Sequence, residues 1–362
     1  MTLETTVDRQ SAGMRLDIFV TRRFSKALEQ AGLSRSAIKR MIVQGQVALN
    51  GQRAKASARL KVNDIIRIQS LPPKKVFLVG EPLPLDVLYE DNDCIVINKA
   101  PGVVVHPTAA RSSGTLVNAL LHHCPDLEGI GGERRPGIVH RLDKETSGVM
   151  IAAKNALALQ QLARQFKERR VTKEYLAVVW GKLKGNQGVI DRPVGRHRSD
   201  RKRMSSTHSI AHSKEAITAW KVERSFEIKA GSVSTWVSLL RLKPRTGRTH
   251  QIRVHLADLG YPLIGEKIYG RKRRIAGPAN AKVTALQSFA RHALHAEKLG
   301  LAHPRSGVAM QFHAPLTEDI HELLEFLEGQ NRSAKVQPFG RDRSVGRNCS
   351  EPGRVDKENT FK

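Results

Sequence analysis

Nine residues at positions 140–148, HRLDKETSG, gather a carboxylate (Asp143), a guanidinium (Arg141), an imidazole (His140), two hydroxyls and a turn-permitting glycine. A carboxylate in this company can act as a nucleophile, as a general acid or base, or as a stabiliser of positive charge at a sugar carbon. By itself it can also do no more than cap a turn, the commonest fate of an Asp near Thr-Ser-Gly. Other chemistries have less support. Ser147 lacks the strained G-x-S-x-G elbow of a serine hydrolase. No G-x-x-x-x-G-K-[ST] loop is present, and the glycines of GIGGERRPG do not lie between a strand and a helix start, so nucleoside triphosphate hydrolysis is not expected. His122 and His123 precede Cys124 with no carboxylate at ligand spacing along the chain, so no metal is expected.

Regular elements must hold these groups in place. The apolar runs CIVINK (94–99), VMIAAK (149–154), EYLAVVW (174–180) and STWVSLLRL (234–242) read as strands. The pattern from Asn155 to Glu168 predicts a helix capped by Asn155, with Leu159, Leu162, Ala163 and Phe166 on one face. HQIRVHLADLG predicts another, with Ile252, His255, Leu256 and Leu259 in a stripe and Gly260 as terminator. Strands outnumber helices without strict alternation, which favours an α+β fold over a doubly wound sheet. Nearer the N-terminus, Arg15 to Ile68 looks self-contained. Ser34 caps a short helix bearing Ile38, Met41 and Ile42, Gly45 ends it, Asn50-Gly51 makes a tight hairpin turn, and KVNDIIRIQS is a strand. Arg35, Lys39 and Arg40 on that helix suit either a solvated face or phosphate contacts. The stretch LPPKKVFLVGEPLPLDV breaks both periodicities and reads as a linker.

The balance of 61 Lys and Arg against 34 Asp and Glu gives a net charge of +27, a field that attracts polyanions. No basic amphipathic helix with a Trp or Phe face stands out, so nucleic acid is favoured over a membrane surface. Two basic stretches, RHRSDRKRM (196–204, with Arg201 and Lys202) and RKRR (271–274), read as loops suited to a phosphate backbone. No apolar run reaches the ~18 residues of a membrane helix, and MTLETTVDRQSAG carries no signal-like apolar core. Cys94, Cys124 and Cys349 are too scattered for a disulfide framework, which fits a cytoplasmic setting. The polar segment after Gly329 is expected to be disordered.

Two resemblances sharpen these expectations. RLDIFV, followed by SRSAIKRMIVQGQVALNGQRAKASARLKVNDIIRI, resembles the S4 RNA-binding module. PGIVHRLDKETSGVMIAAK closely resembles the active-site motif of the RluA family of pseudouridine synthases, in which the Asp of HRLD is essential. Further motifs follow in the family's order. LYEDNDCIVINKAPGVVVHP resembles the first motif, KEYLAVVWG supplies an active-site Tyr as Tyr175, and KPRTGRTHQIRVHLADLGYPLIGEKIYG supplies a basic residue as Arg253 after Ile252. ARHALHAEKLGLAHPRSG resembles the closing strand region, so the likeness runs over roughly residues 14–328. Ala100 departs from the Pro that many relatives have, and SSTHSIAHSK lengthens the basic loop.

The resemblance implies an α+β catalytic domain over residues 88–328 with a central mixed, largely antiparallel sheet flanked by helices. It also implies a small α/β S4 domain over 14–75, a linker over 76–87, a disordered start over 1–13 and a basic disordered tail over 329–362. The implied reaction is uridine to pseudouridine, most simply in large-subunit ribosomal RNA or its assembling particle, by a monomer without cofactor or metal. Asp143 would be the catalytic carboxylate. Arg253 would keep it charged, since a guanidinium within ~4–6 Å offsets desolvation, and Tyr175 would stack on uracil and carry a proton. Arg141 would fill the gap left by a flipped nucleotide or hold a phosphate. His140, Arg248, His250 and Ile252 would complete the RNA contacts around the site. The competing readings are a noncatalytic RNA-binding or ribosome-assembly protein that keeps the fold, and an RNA-directed hydrolase using Asp143 with a nearby His.

Overall fold

The computed structural model describes residues 2–24, 38, 41–69, 78–107, 113–127, 130, 135–198, 200, 203–207, 213–230, 233–270, 283 and 286–329. These fall into two compact units, one ending at Val79 and one beginning at Gly80.

In the first unit, β1 (Thr2–Thr6), β2 (Val47–Leu49), β3 (Gln52–Arg53) and β4 (Ile65–Gln69) form an antiparallel sheet in the order β1-β4-β2-β3, accompanied by α1 (Leu16–Arg23). Asn50 and Gly51 join β2 to β3 with φ of 52° and 79°, the left-handed pair that a two-residue hairpin turn demands. Leu16, Phe19 and Val20 of α1 bury against Ile38, Ile42, Val47, Ile66 and Ile68. The expectation of disorder over residues 1–13 is corrected. Thr2 to Thr6 pair with Gln69 to Ile65, and Val7 joins the core, because β4 would otherwise present an unpaired edge. The Ser34 cap, Arg35, Lys39 and Arg40 lie outside the described residues.

The second unit is built on a nine-stranded sheet in the order β5-β6-β7-β14-β8-β13-β12-β9, with β15 also paired to β14. Its strands are β5 (Val87–Glu90), β6 (Cys94–Lys99), β7 (Ser147–Ala153), β8 (Thr172–Trp180), β9 (Gln187–Asp191), β12 (Ile217–Ala230), β13 (Val233–Pro244), β14 (Leu294–Ala302) and β15 (Ala309–His313). The small hairpin β10 (Gly195–Arg196) and β11 (Met204–Ser205) stands apart from it. Among the described strand pairings of this sheet only β7–β14 is parallel, so the expected mixed, largely antiparallel α+β architecture is found. Helices α2 (Leu116–His123), α3 (Ala156–Lys167), α4 (Gln251–Asp258) and α5 (Glu318–Gly329) belong to the same unit. Residues 80–86, expected within the linker, belong to this unit, because Glu81 donates its N–H to the Asn118 carbonyl and its carboxylate accepts from Gly114.

The alternation along β8 sorts two cores. Leu176, Val178 and Trp180 pack with Phe226, Ile228 and Leu323 and Leu327 of α5, whereas Ala177 and Val179 pack with Ile252 and Leu256 of α4. Tyr175 shares the parity of Ala177 and therefore faces the α4 side. Asn155 caps α3 by accepting from Ala158, as expected. Of the predicted face of α3, Leu162 is buried and Leu159 and Phe166 are half-buried, whereas Ala163 is exposed; Ala158 and Gln165 are buried in addition, the Gln165 amide exchanging two hydrogen bonds with Ala302.

Candidate active site

Asp143 lies on a loop that leaves the edge of β7, and its neighbours fix the loop on both sides. Upstream, the backbone N–H of Ile151 donates to Nε2 of His140 at 3.0 Å, and the N–H of Ala153 donates to the Gly137 carbonyl at 2.8 Å. Downstream, Lys99 buries its ammonium and donates to the carbonyls of Ala100, Val103 and Lys144. Burial pushes the Lys99 pKa down to about 7. Arg291 donates to the Glu145 carbonyl at 2.9 Å, and Thr146 and His292 share a 2.8 Å hydrogen bond. A loop whose flanking carbonyls are so well engaged presents one side chain in one orientation.

That side chain meets Arg253. Nη1 of Arg253 donates to Oδ2 of Asp143 at 3.0 Å, while its Nε and Nη2 donate to the two oxygens of Glu266, each at 2.8 Å. The guanidinium is therefore clamped edge-on by one carboxylate and offers its remaining edge to the other. The side chains of Arg253 and Glu266 are 6% and 1% exposed, and that of Asp143 is 17% exposed, so the catalytic candidate is the member with access to solvent. Burial alone would raise the Glu266 pKa, but the Arg253 hydrogen bonds and charge outweigh it and hold it below the usual range. Burial likewise opposes charge on Arg253, and Glu266 with Asp143 overcomes it, driving that pKa up.

The second oxygen of Asp143 has no hydrogen bond among the described residues. Nε2 of His250 faces Oδ1 at 3.7 Å. His250 is the N-cap of α4, held in a left-handed conformation with φ of 56°, which turns its ring back toward the loop. Burial lowers its pKa, so the ring is neutral at pH 7. Its Nδ1 bonds the Tyr269 hydroxyl at 2.6 Å, and that oxygen also accepts the N–H of Met204 at 3.1 Å. The chain of bonds is satisfied when Tyr269 donates to Nδ1 and the imidazole proton sits on Nε2, aimed at Asp143. Tyr269 thereby ties the base of the basic loop to the His250 ring that faces the carboxylate.

Asp143, Tyr175, Arg141, Thr146, Arg248 and Ile252 line one small cleft of about 100 Å³. Burial and the Asp143 charge raise the Tyr175 pKa, which keeps its phenol protonated. Arg141 is exposed at the mouth. Ile252 is buried at the cleft floor among the α4-side core residues. Arg248 is tied down, its Nε donating to the Glu215 carbonyl at 2.9 Å.

Several expectations change. His140 does not line the catalytic cleft but the groove beside it. Its ring stacks on Phe166 at 4.6 Å and its Nε2 is spent on Ile151, and burial pushes its pKa down to about 3, so it positions the loop. Gly148 is a strand residue and not a turn: with φ of 113° it lies where a Cβ would come 2.2 Å from the Ala296 carbonyl oxygen. Arg201, Lys202 and the segment 271–274 lie outside the described residues. Glu90 of β5 supplies the carboxylate that the sequence did not place near His123 and Cys124, and the three donor atoms come within 4.8 Å of one another. Lys154 already neutralises Glu90 at 2.6 Å, which disfavours a cation there. Glu266, Tyr269 and Lys99 were missed as site residues. Glu266 sits within the quoted GEKIYG stretch, and only its distance from Arg253 in space reveals its role.

Comparison with known proteins follows the same lines. Residues 93–258 match the RNA pseudouridylate synthase family and residues 14–66 match the S4 domain. An uncharacterized RNA pseudouridine synthase of Bacillus subtilis (strain 168), YlyB, is 38% identical over 325 residues, covering 90% of this chain and 98% of that protein. Ribosomal large subunit pseudouridine synthase D of Escherichia coli O157:H7 is 38% identical over 329 residues, covering 90% of this chain and 94% of that protein. Among solved structures, Human RNA Pseudouridylate Synthase Domain Containing 1 superposes with a TM-score of 0.50 at 28% identity, covering 72% of this chain and 99% of that one.

Proposed function

The chain belongs to the RNA pseudouridylate synthase family, and from that premise we propose that it isomerises uridines of large-subunit ribosomal RNA to pseudouridine with Asp143 as the catalytic carboxylate. The substrate class rests on relatives that carry the name ribosomal large subunit pseudouridine synthase D. The assignment of Asp143 rests on one observation: a partly exposed carboxylate in a cleft, held at Oδ2 by a buried Arg253 that is itself clamped by Glu266.

Isomerisation breaks the bond between uracil N1 and ribose C1′, turns the base, and joins C5 to C1′. The C5 proton leaves to solvent and N1 gains one, so mass is conserved and no redox partner is required. With Oδ2 occupied by Arg253, Oδ1 is the oxygen left to meet the nucleoside. An ionised carboxylate there serves equally for attack at C1′, for attack at C6, or for removing a ribose proton. Tyr175 lies in the same cleft as a neutral phenol, suited to stack on uracil and to donate a proton rather than to act as a base. The target atoms are hidden in stacked RNA, so the nucleotide is drawn out at a cost of a few kcal/mol, and Arg141 at the cleft mouth is placed to replace it.

A noncatalytic RNA binder would have no use for a carboxylate held in a cleft by a buried guanidinium that a second carboxylate clamps. Two measurements test the reading: pseudouridine mapping in ribosomal RNA from cells with and without the protein, and release of tritium from RNA labelled at uridine C5. Loss of specific large-subunit sites in the deletion supports it; an unchanged map with no tritium release refutes it. Strand scission instead of isomerisation would favour the hydrolase.

A further inference from the structure

Beside the catalytic cleft, and sharing with it Arg141, Tyr175, Pro244 and the segment Thr246 to Arg248, lies a larger groove of about 580 Å³. Its remaining walls are the strip from Arg135 to His140, the last turn of α3 with Phe166 and Lys167, and Arg169 and Lys173 leading into β8. Seven Arg or Lys side chains line it and no Asp or Glu does. At the chain's ratio of 61 basic to 34 acidic residues, seven cations would bring about four carboxylates with them. Glu215 stands just outside and engages Arg169 through both carboxylate oxygens. The other cations have no such partner in the groove lining, and burial, together with Arg169, lowers the pKa of Lys173. A groove with surplus positive charge is complementary to a polyanion.

Its floor is not charged. Ile138, Val139 and the stacked His140–Phe166 pair provide an apolar and aromatic surface. His106, only 6% exposed, lies in the wall, and its Nδ1 has no hydrogen-bond partner among the described residues. Cations around an aromatic floor with an unsatisfied polar atom suit unstacked bases on a phosphate chain. A duplex keeps its bases stacked and could offer only phosphates here.

We propose that this groove binds the unpaired nucleotides adjoining the target uridine, with phosphates on Arg135 and Lys167 and a base against the Phe166–His140 floor, so that the enzyme takes its substrate as a single strand. This rests on the proposed isomerase function, because the shared wall makes the groove the continuation of the cleft that receives the uridine. The space lies within the ~300–1,000 Å³ of small-ligand pockets.

The test uses full-length protein and an RNA in which the wild type forms pseudouridine. Arg135→Glu and Lys167→Glu reverse exposed charges in the groove, and Lys221→Glu makes the same change on an exposed face of β12 outside it. Each groove variant is expected to raise KM by on the order of tenfold, leave kcat within twofold, and reduce the slope of log affinity against log salt by about 1. Lys221→Glu should change each far less. Equal effects from all three overturn the proposal. An unlabelled single strand of the substrate sequence should displace labelled RNA, and the same sequence annealed to its complement should not; equal displacement by the duplex also overturns it. A wild type that forms no pseudouridine on any RNA sinks the functional reading instead, and the equilibrium binding comparisons still decide the groove.

Discussion

Asp143 gives Oδ2 to Arg253, and under the proposed assignment Oδ1 meets the nucleoside, so its replacement should remove chemistry and little else. Asp143→Asn is expected to lower tritium release by at least ~10³-fold, the scale of deleting a group that acts directly on the reacting atoms, with RNA affinity within twofold by filter binding. Glu266 has a different duty, since it orients Arg253 without facing the cleft. Glu266→Gln should cost about 3 kcal/mol, as for one half of a buried ion pair, and should lower kcat. Because the folded pKa of Glu266 lies below the ordinary 4.5, its contribution is complete above that value and fades as pH falls through the depressed native value. The stability gap between wild type and Glu266→Gln, measured by urea unfolding, should therefore shrink under acid conditions. Tyr269→Phe removes the hydroxyl that accepts from Met204 and bonds His250. Leaving such groups unpaired costs ~1–3 kcal/mol, so kcat/KM should fall by roughly tenfold with fold intact by circular dichroism. Of these residues, Asp143 and Arg253 were legible because each sits in a recognisable motif. Glu266 was not, because a carboxylate thirteen residues further along in a loop betrays nothing until the guanidinium between two acids is seen.

Elements were legible where pattern and packing agree. CIVINK, EYLAVVW and STWVSLLRL fall within strands, as does VMIAAK up to Ala153, and the parity of β8 explains why Tyr175 reaches the α4 side. The errors came where a long-range contact overrides a local signal. Gly148 looked like a turn residue beside Thr146 and Ser147, yet it marks the close approach of β7 to β14, the one parallel pairing among the described strands of the sheet. Gly148→Ala should cost roughly 3 kcal/mol or more through a strained positive φ and a backbone clash, seen as a lower urea midpoint. Tritium release should fall with it, since the loop bearing Asp143 leaves the same edge. The N-terminal strand was missed for a similar reason: Thr2 to Thr6 pair with β4, whose Ile65 to Gln69 lie about sixty positions away.

At the scale of the molecule, the net charge of +27 was read directly from composition, and its consequence is measurable. Affinity for RNA should drop by at least ~10³ between 50 and 200 mM salt, as for six or more phosphate contacts; a shallow salt dependence would mean that the basic surface is not used. What composition could not reveal is how late the catalytic centre comes into being. Arg253 reaches Asp143 across 110 positions, and His292 reaches Thr146 across 146. β14, which begins only at Leu294, is wedged between β7 and β8. Contacts so distant along the chain form slowly, after the local ones. A polypeptide still emerging from the ribosome would carry its RNA-attracting charge long before that wedge was in place, and so would be drawn to the very particle that makes it while still unable to alter it.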